Sequence, residues 1–166
     1  MMNQQVGYKE VFGYFRMGLV TGLVDKQELI AWADRQIIEK ETAESEIIEL
    51  SLCGKRPYSE IIWLLGQFEH GSDYQTSVNL ILARAGLLAE QNSRKASDII
   101  MGLRLLIEEE WLAKFVKAQL QTQKYNLEQY KSQAITYDSL AGQLRQFLAP
   151  YRQYRPHLTT LLQVNT

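Results

Sequence analysis

One cysteine, Cys53, and two histidines, His70 and His157, leave this 166-residue chain without the thiol pairs of a disulfide framework and with too few soft ligands for a structural zinc site. A reducing, cytoplasmic setting is the expectation. Proline is equally scarce. Only Pro57 lies in the first 149 residues, with Pro150 and Pro156 after them, so little interrupts a helical pattern. Long apolar runs are missing too: the stretch from Val11 to Val24 covers 14 positions and contains Arg16, whereas a membrane-spanning helix needs roughly 20 apolar residues. Lys9 and Glu10 precede that stretch and Asp25-Lys26 follows it, which is not the layout of a secretory signal. No membrane partner is expected.

The usual enzyme signatures do not occur. There is no Glu-x-x-His to project a metal-binding pair into a bundle, no glycine-rich phosphate loop, and no Gly-x-Ser-x-Gly elbow. Cys53 sits beside Gly54 at a helix end, where no helix N-terminus lowers its pKa, and reads as a small buried residue. His70 directly follows Glu69 and reads as a solvated residue at a helix C-terminus; His157 reads as a surface residue near the end of the chain. No catalytic, cofactor-binding or metal-binding residue is therefore assigned.

What is present is ordinary globular material, with 46% hydrophobic and 22% charged residues, enough for one compact core. The formal net charge of −1 hides a division. Residues 1–113 carry 11 basic and 17 acidic side chains, a balance of −6, and residues 114–166 carry seven basic against two acidic, a balance of +5. The reading is an acidic helical body over 6–113 and a basic C-terminal helical segment over 114–166 that packs on the body or on a second copy.

Apolar residues recur at intervals of three and four, which specifies helices. The spacing places the first over Tyr8–Val20, stopped at Thr21-Gly22, and the second from Asp25 to Lys40, opened by a capping box of Asp25 and Glu28. A third runs from Ser45, as its cap, to Cys53. A fourth runs from Pro57 to Glu69, apolar nearly all round and so expected at the centre of the bundle. The fifth extends from Ser72 or Asp73 to Gln91, and Asn92-Ser93 should cap the next. Beyond Arg94 the helix is long or once broken, with the break near 132–138 and Asp138 or Ser139 as a new cap. From Leu120 to Tyr151 an alternation of three and four forms a heptad seam that wants a partner helix. The fold class is all-α, a multi-helix bundle of seven or eight helices ending in a C-terminal helical hairpin or arm, with about 70% helix.

Two groups of residues are candidate contacts with a partner. Glu39, Glu41, Glu44, Glu46 and Glu49 concentrate five carboxylates around one helix connection, a docking surface for a basic protein. Arg152, Tyr154 and Arg155 form a basic, aromatic set near the C-terminus. The function expected is that of a noncatalytic, bacterial-type interaction protein (immunity, antitoxin or adaptor) that binds a protein partner through charged helical faces. A homodimer through the Leu120–Tyr151 seam is a second expectation. One alternative is a nucleic-acid-associated regulator using Arg145, Arg152 and Arg155; another is an enzyme with a bundle pocket built from Trp32, Trp63, Glu60 and tyrosines. Trp32 and Trp63 also begin similar Trp-x-x-x-Gln-apolar stretches 31 positions apart, an echo of a helical repeat.

Overall fold

The computed structural model describes residues 6–162, and all regular structure in that range is helical, with helix making up 78% of the protein. Eight helices have eight or more residues: α1 (Tyr8–Thr21), α2 (Lys26–Glu39), α4 (Tyr58–Phe68), α5 (Tyr74–Glu90), α6 (Ala96–Leu103), α7 (Lys114–Lys131), α8 (Tyr137–Leu148) and α9 (Arg155–Leu162). The seven-residue α3 (Ser45–Ser51) lies between α2 and α4. Three 3₁₀ turns, Cys53–Lys55, Arg104–Glu108 and Ala149–Tyr154, bend the chain between helices.

Local chemistry explains most boundaries. Gly22 ends α1 in the left-handed region at φ 69°, and the Val24 N–H returns to the Gly18 carbonyl at 3.2 Å. A Cβ on Gly18 would fall 2.6 Å from Val24 Cβ, so both members of the Gly18/Gly22 pair serve this turn. Asp25 caps α2 through the reciprocal pair with Glu28, its side chain accepting from Glu28 N at 2.9 Å. Asp73 caps α5. Three expected caps move. Ser45 is inside α3 and donates to Glu46 Oε2, while Glu44 occupies the cap position. Asn92-Ser93 does not cap α6: Asn92 turns the chain at φ 51° and α6 starts only after Lys95. At α8, Thr136 rather than Asp138 or Ser139 is the cap, its Oγ1 accepting from Ser139 N at 3.2 Å.

α5, not α4, is the central helix. Eleven of its 17 residues are buried, and it packs against α1, α6, α8, α9 and the 149–154 turn. Ala83, Ala85, Gly86 and Ala89 keep its outline thin enough for neighbours to close on several sides. α4 buries Ile61, Leu64 and Leu65 and packs chiefly on α1, leaving Trp63 62% exposed. Its apolar circumference misled because hydrophobicity says that a side chain gains by burial, not that a neighbour exists to bury it.

The segment from Lys114 folds back on the body. α7 lies on α6, α8 lies on α5, α6 and α7, and α9 lies on α5, so both parts share one core. Residues 163–166 of the expected basic segment lie outside the described residues. The heptad seam is closed within the chain on either side of its break: Leu120, Gln123, Leu127, Ala141, Leu144, Leu148 and Tyr151 are buried, Tyr130 is half-buried, and Ala134 and Tyr137 are exposed. Most of the apolar area that argued for a second copy along Leu120–Tyr151 is therefore covered by the chain itself. Tyr130 and Tyr137 meet edge to face at the open end of this seam with ring centroids 5.9 Å apart, and Tyr137 Oη accepts from the first backbone N–H of α6, Ala96 N, at 3.1 Å.

Glu90 at the end of α5 holds the arm in place. Its carboxylate accepts from Arg155 Nη1 at 2.7 Å and from Arg152 Nη2, and these hydrogen bonds lower its pKa from 4.5 to about 2 against the opposing effect of burial. A carboxyl group depressed on folding contributes stability above its unfolded pKa and loses it as the pH falls toward the folded value. With Arg152 largely in solvent, the clasp is worth about 1–2 kcal/mol after screening. Glu90→Gln is expected to lower the urea midpoint at pH 7 and to make little difference near pH 2; an equal loss at both would show that charge plays no part.

Candidate protein-docking surface

α2 and α3 form a helical hairpin whose inner face belongs to the core. Leu29, Trp32 and Ala33 from α2 and Ile47 and Leu50 from α3 are buried, and the Trp32 ring meets those of Tyr8, Phe12 and Phe15. The base is tied by Lys26 Nζ, which donates to the carbonyls of Gly54 at 2.9 Å and Arg56 at 3.2 Å. Across the hairpin, Ser51 Oγ donates to Asp34 Oδ1. That bond sets the antiparallel register: one turn further along α2 stands Ile38, one turn earlier on α3 stands Ile48, and Leu52 follows Ile48 by four residues.

These three apolar side chains face water. Ile38 is 82% exposed, Leu52 75% and Ile48 43%. Towards the hairpin tip the charges beside Ile38 and Ile48 are mainly acidic, while Arg35 stands one turn before Ile38 and exposed Lys55 three residues after Leu52. Glu39, Glu41 and Glu44 are exposed, and among the described residues no Lys or Arg pairs with them or with Glu46. Glu46 accepts from a backbone N–H and from the Ser45 hydroxyl, which in that order hold its carboxyl below the usual range. Lys40 turns away, its ammonium 4.2 Å from the centre of the Tyr8 ring. Glu39 closes α2 where the helix dipole is negative and favours cations, and that last turn contains none. Glu46 and Glu49 are half-buried, and Glu49 differs from the other four acids in its ion pair: it is bonded to Arg56 Nη1 at 2.9 Å, and Arg56 also reaches Glu60 at 3.3 Å. The hairpin thus presents an apolar ridge whose tip end lies among carboxylates that make no ion pair among the described residues.

The second candidate set is employed internally. Arg152 and Arg155 are clasped on Glu90, and Tyr154 is half-buried against the core. Of the three arginines behind a nucleic-acid role, only Arg145 stays exposed without an ion pair among the described residues. The pocket envisaged from Trp32, Trp63 and Glu60 is not assembled: Trp32 is in the core, Trp63 is on the surface, and Glu60 turns to Arg56. The two halves of the tryptophan echo accordingly occupy unlike environments.

Other groups with chemical potential have structural partners. A cleft of about 350 Å³ holds Glu10, Asp73, Tyr154 and His157, but Glu10 accepts from Asp73 N at 3.0 Å, and Asp73 accepts from Gln75 N at 3.0 Å and Thr76 Oγ1 at 2.7 Å. Cys53 is a buried thiol whose pKa is pushed up by desolvation, with Lys26 and Arg56 opposing. Among the described residues, no three His, Cys, Asp or Glu side chains are grouped to hold a metal ion, and no helix is long and apolar enough to cross a membrane.

A polar cluster that the sequence did not disclose lies between α1, the end of α4 and residues 109–111. Arg16 Nε lies against Glu69 Oε1 and its Nη1 is 3.7 Å from Glu109 Oε1. Trp111 covers the guanidinium at 5.9 Å, stacks on Tyr74 at 4.9 Å and donates from Nε1 to Glu109 Oε2 at 2.9 Å. Glu69 is only 3% exposed, and its Oε2 has no hydrogen-bond partner. Burial raises its pKa, Arg16 pulls it back and Glu109 adds to the rise. The lone signal was Arg16 inside an otherwise apolar stretch. The cluster is a packing device that anchors the unanticipated break between α6 and α7. No protein-family model, no curated protein and no solved structure matches this chain, so the functional reading rests on the geometry of the hairpin.

Proposed function

We propose that this is a noncatalytic protein–protein interaction protein, of the bacterial immunity, antitoxin or adaptor kind, which receives a basic protein partner on the α2–α3 hairpin in a reducing cytoplasm. The observation that carries the reading is the pairing of solvent-exposed Ile38 and Leu52 with the unpaired carboxylates of Glu39, Glu41, Glu44 and Glu46. The apolar ridge supplies affinity through area removed from water. The carboxylates raise the encounter rate and penalise acidic competitors. The buried free thiol of Cys53 suits a reducing compartment.

The experiment is affinity capture with tagged protein from the native cytoplasm at low ionic strength. Capture of a basic protein is expected, lost in about 1 M salt, where the Debye length shrinks to about 3 Å. The triple variant Glu39→Lys, Glu41→Lys, Glu44→Lys should reduce binding at least tenfold with an unchanged melting curve, since all three side chains are exposed. Recovery of no protein, or of the same protein by the triple variant, would count against the hairpin.

A further inference from the structure

We infer that the α2–α3 ridge also accepts the outer face of α7 from a second copy of the chain, giving head-to-tail self-association. The inference rests on reading the hairpin as a docking surface and names an occupant for it. α7 buries Val116, Leu120, Gln123 and Leu127 on one side. Its opposite side shows Phe115, Ala118, Thr122 and Tyr125 at intervals of three, four and three, all exposed, with Phe115 71% exposed. Lys114 borders that stripe in one row with Gln121 and Glu128, and Lys117, Lys124 and Lys131 stand one row further round at heptad spacing, between it and the buried face. Glu128, beside Lys131 at 3.3 Å, is the only acid on the helix. One protein therefore displays an acidic apolar ridge and a basic apolar helix.

A helical occupant suits the ridge for a backbone reason. An extended segment laid on Ile38, Ile48 and Leu52 would bring unpaired N–H and C=O groups against apolar side chains, and the described residues offer no strand edge to satisfy them. A helix arrives with those bonds already made. The two faces lie on different parts of the molecule: α2 and α3 pack chiefly on each other and the 53–55 turn, α7 on α6, α8 and the 104–108 turn. Joining two unlike surfaces produces a heterologous interface, which repeats along a row instead of closing as a two-fold dimer. A net charge of −1 on a strongly divided molecule leaves little overall repulsion to oppose it. One helix on one ridge buries less than a standard interface, so a dissociation constant on the order of 0.1 mM is expected.

Sedimentation velocity of the purified full chain tests this with two neutralised variants. The first, Glu39→Gln, Glu41→Gln, Leu52→Ser, loses the ridge; the second, Phe115→Ser, Lys117→Gln, Lys124→Gln, loses the helix face. Wild type should grow past dimer as concentration rises toward about 1 mM at low ionic strength, and revert to monomer in about 1 M salt. Each variant alone should associate at least tenfold more weakly. Mixed in equal amounts they should form a heterodimer and nothing larger, because each supplies the one face that the other lacks. Growth of either variant like wild type, no heterodimer in the mixture, or a wild type that stays monomeric throughout would overturn the inference. A monomeric wild type that still captures a basic protein through Glu39, Glu41 and Glu44 overturns the self-association while leaving the hairpin as a docking surface; loss of both removes both.

Discussion

Arg16→Met is expected to cost about 3–5 kcal/mol at pH 8, because it removes the cation from a carboxylate that cannot reach water. Glu69 is 3% exposed, its Oε2 is already unpartnered, and Arg16 is the only cation against it among the described residues. The sign of the pH dependence follows from the raised pKa of Glu69. A carboxyl that holds its proton more tightly when folded favours the folded state at low pH, and that advantage disappears as the pH rises through the folded value. Removing Arg16 raises this value further, so the variant should approach wild-type stability near pH 4 and fall away above it. Adding Glu69→Gln should recover much of the loss at pH 8. Urea denaturation of both variants against wild type at several pH values measures this; a penalty equal at pH 4 and pH 8 would mean that Arg16 contributes by packing on Trp111 and not by charge.

Gly102→Ala is expected to destabilise by about 2–3 kcal/mol, although helix propensity alone favours the change by about 1 kcal/mol. Gly102 lies in α6 where that helix crosses the end of α1, and a Cβ would land on the Thr21 carbonyl oxygen, with the carbonyl carbon at 3.2 Å. The obstacle is backbone. Thr21 is itself held by its hydroxyl, which donates to the Met17 carbonyl at 2.8 Å, so α1 and α6 must separate along their whole contact. Thermal unfolding of Gly102→Ala beside Gly142→Ala is the test. Nothing lies within 4 Å of a Cβ on Gly142, so there the propensity gain should stand alone and raise the melting temperature. If both substitutions stabilise, the close crossing of α1 and α6 is not a constraint.

The Glu90 clasp and the seam show where sequence reasoning stops. The −6 and +5 division was visible in composition, yet it was compatible with a tail folded on its own body or on another molecule. Two hydrogen bonds between residues more than 60 positions apart decide the matter for Arg152 and Arg155. The seam from Leu120 to Tyr151 was equally legible and equally ambiguous, because heptad spacing specifies that a face is covered and is silent on whether the cover comes from the same chain. Of the candidate contacts, the acids at the hairpin tip stayed in solvent because local charge density alone disfavours their burial. Ile38 and Leu52 gave no sign of their exposure, and the spacing allowed Ile48 to face inward with Ile47 and Leu50, for the opposite reason: apolar side chains are assigned to the core by default.

By itself the sequence determined the helical class, most helix boundaries and the cap at Asp25, and narrowed the cap of α5 to Ser72 or Asp73, since these depend on backbone chemistry within a few residues. Tertiary structure alone decided that α5 and not α4 is the centre, that Arg16 is buried with Glu69, and which apolar residues remain in water. Burial is a property of the space between elements. It depends on which helices find room beside one another, and that room is set by small residues such as Gly86 and Gly102, far apart in the chain from the groups they admit.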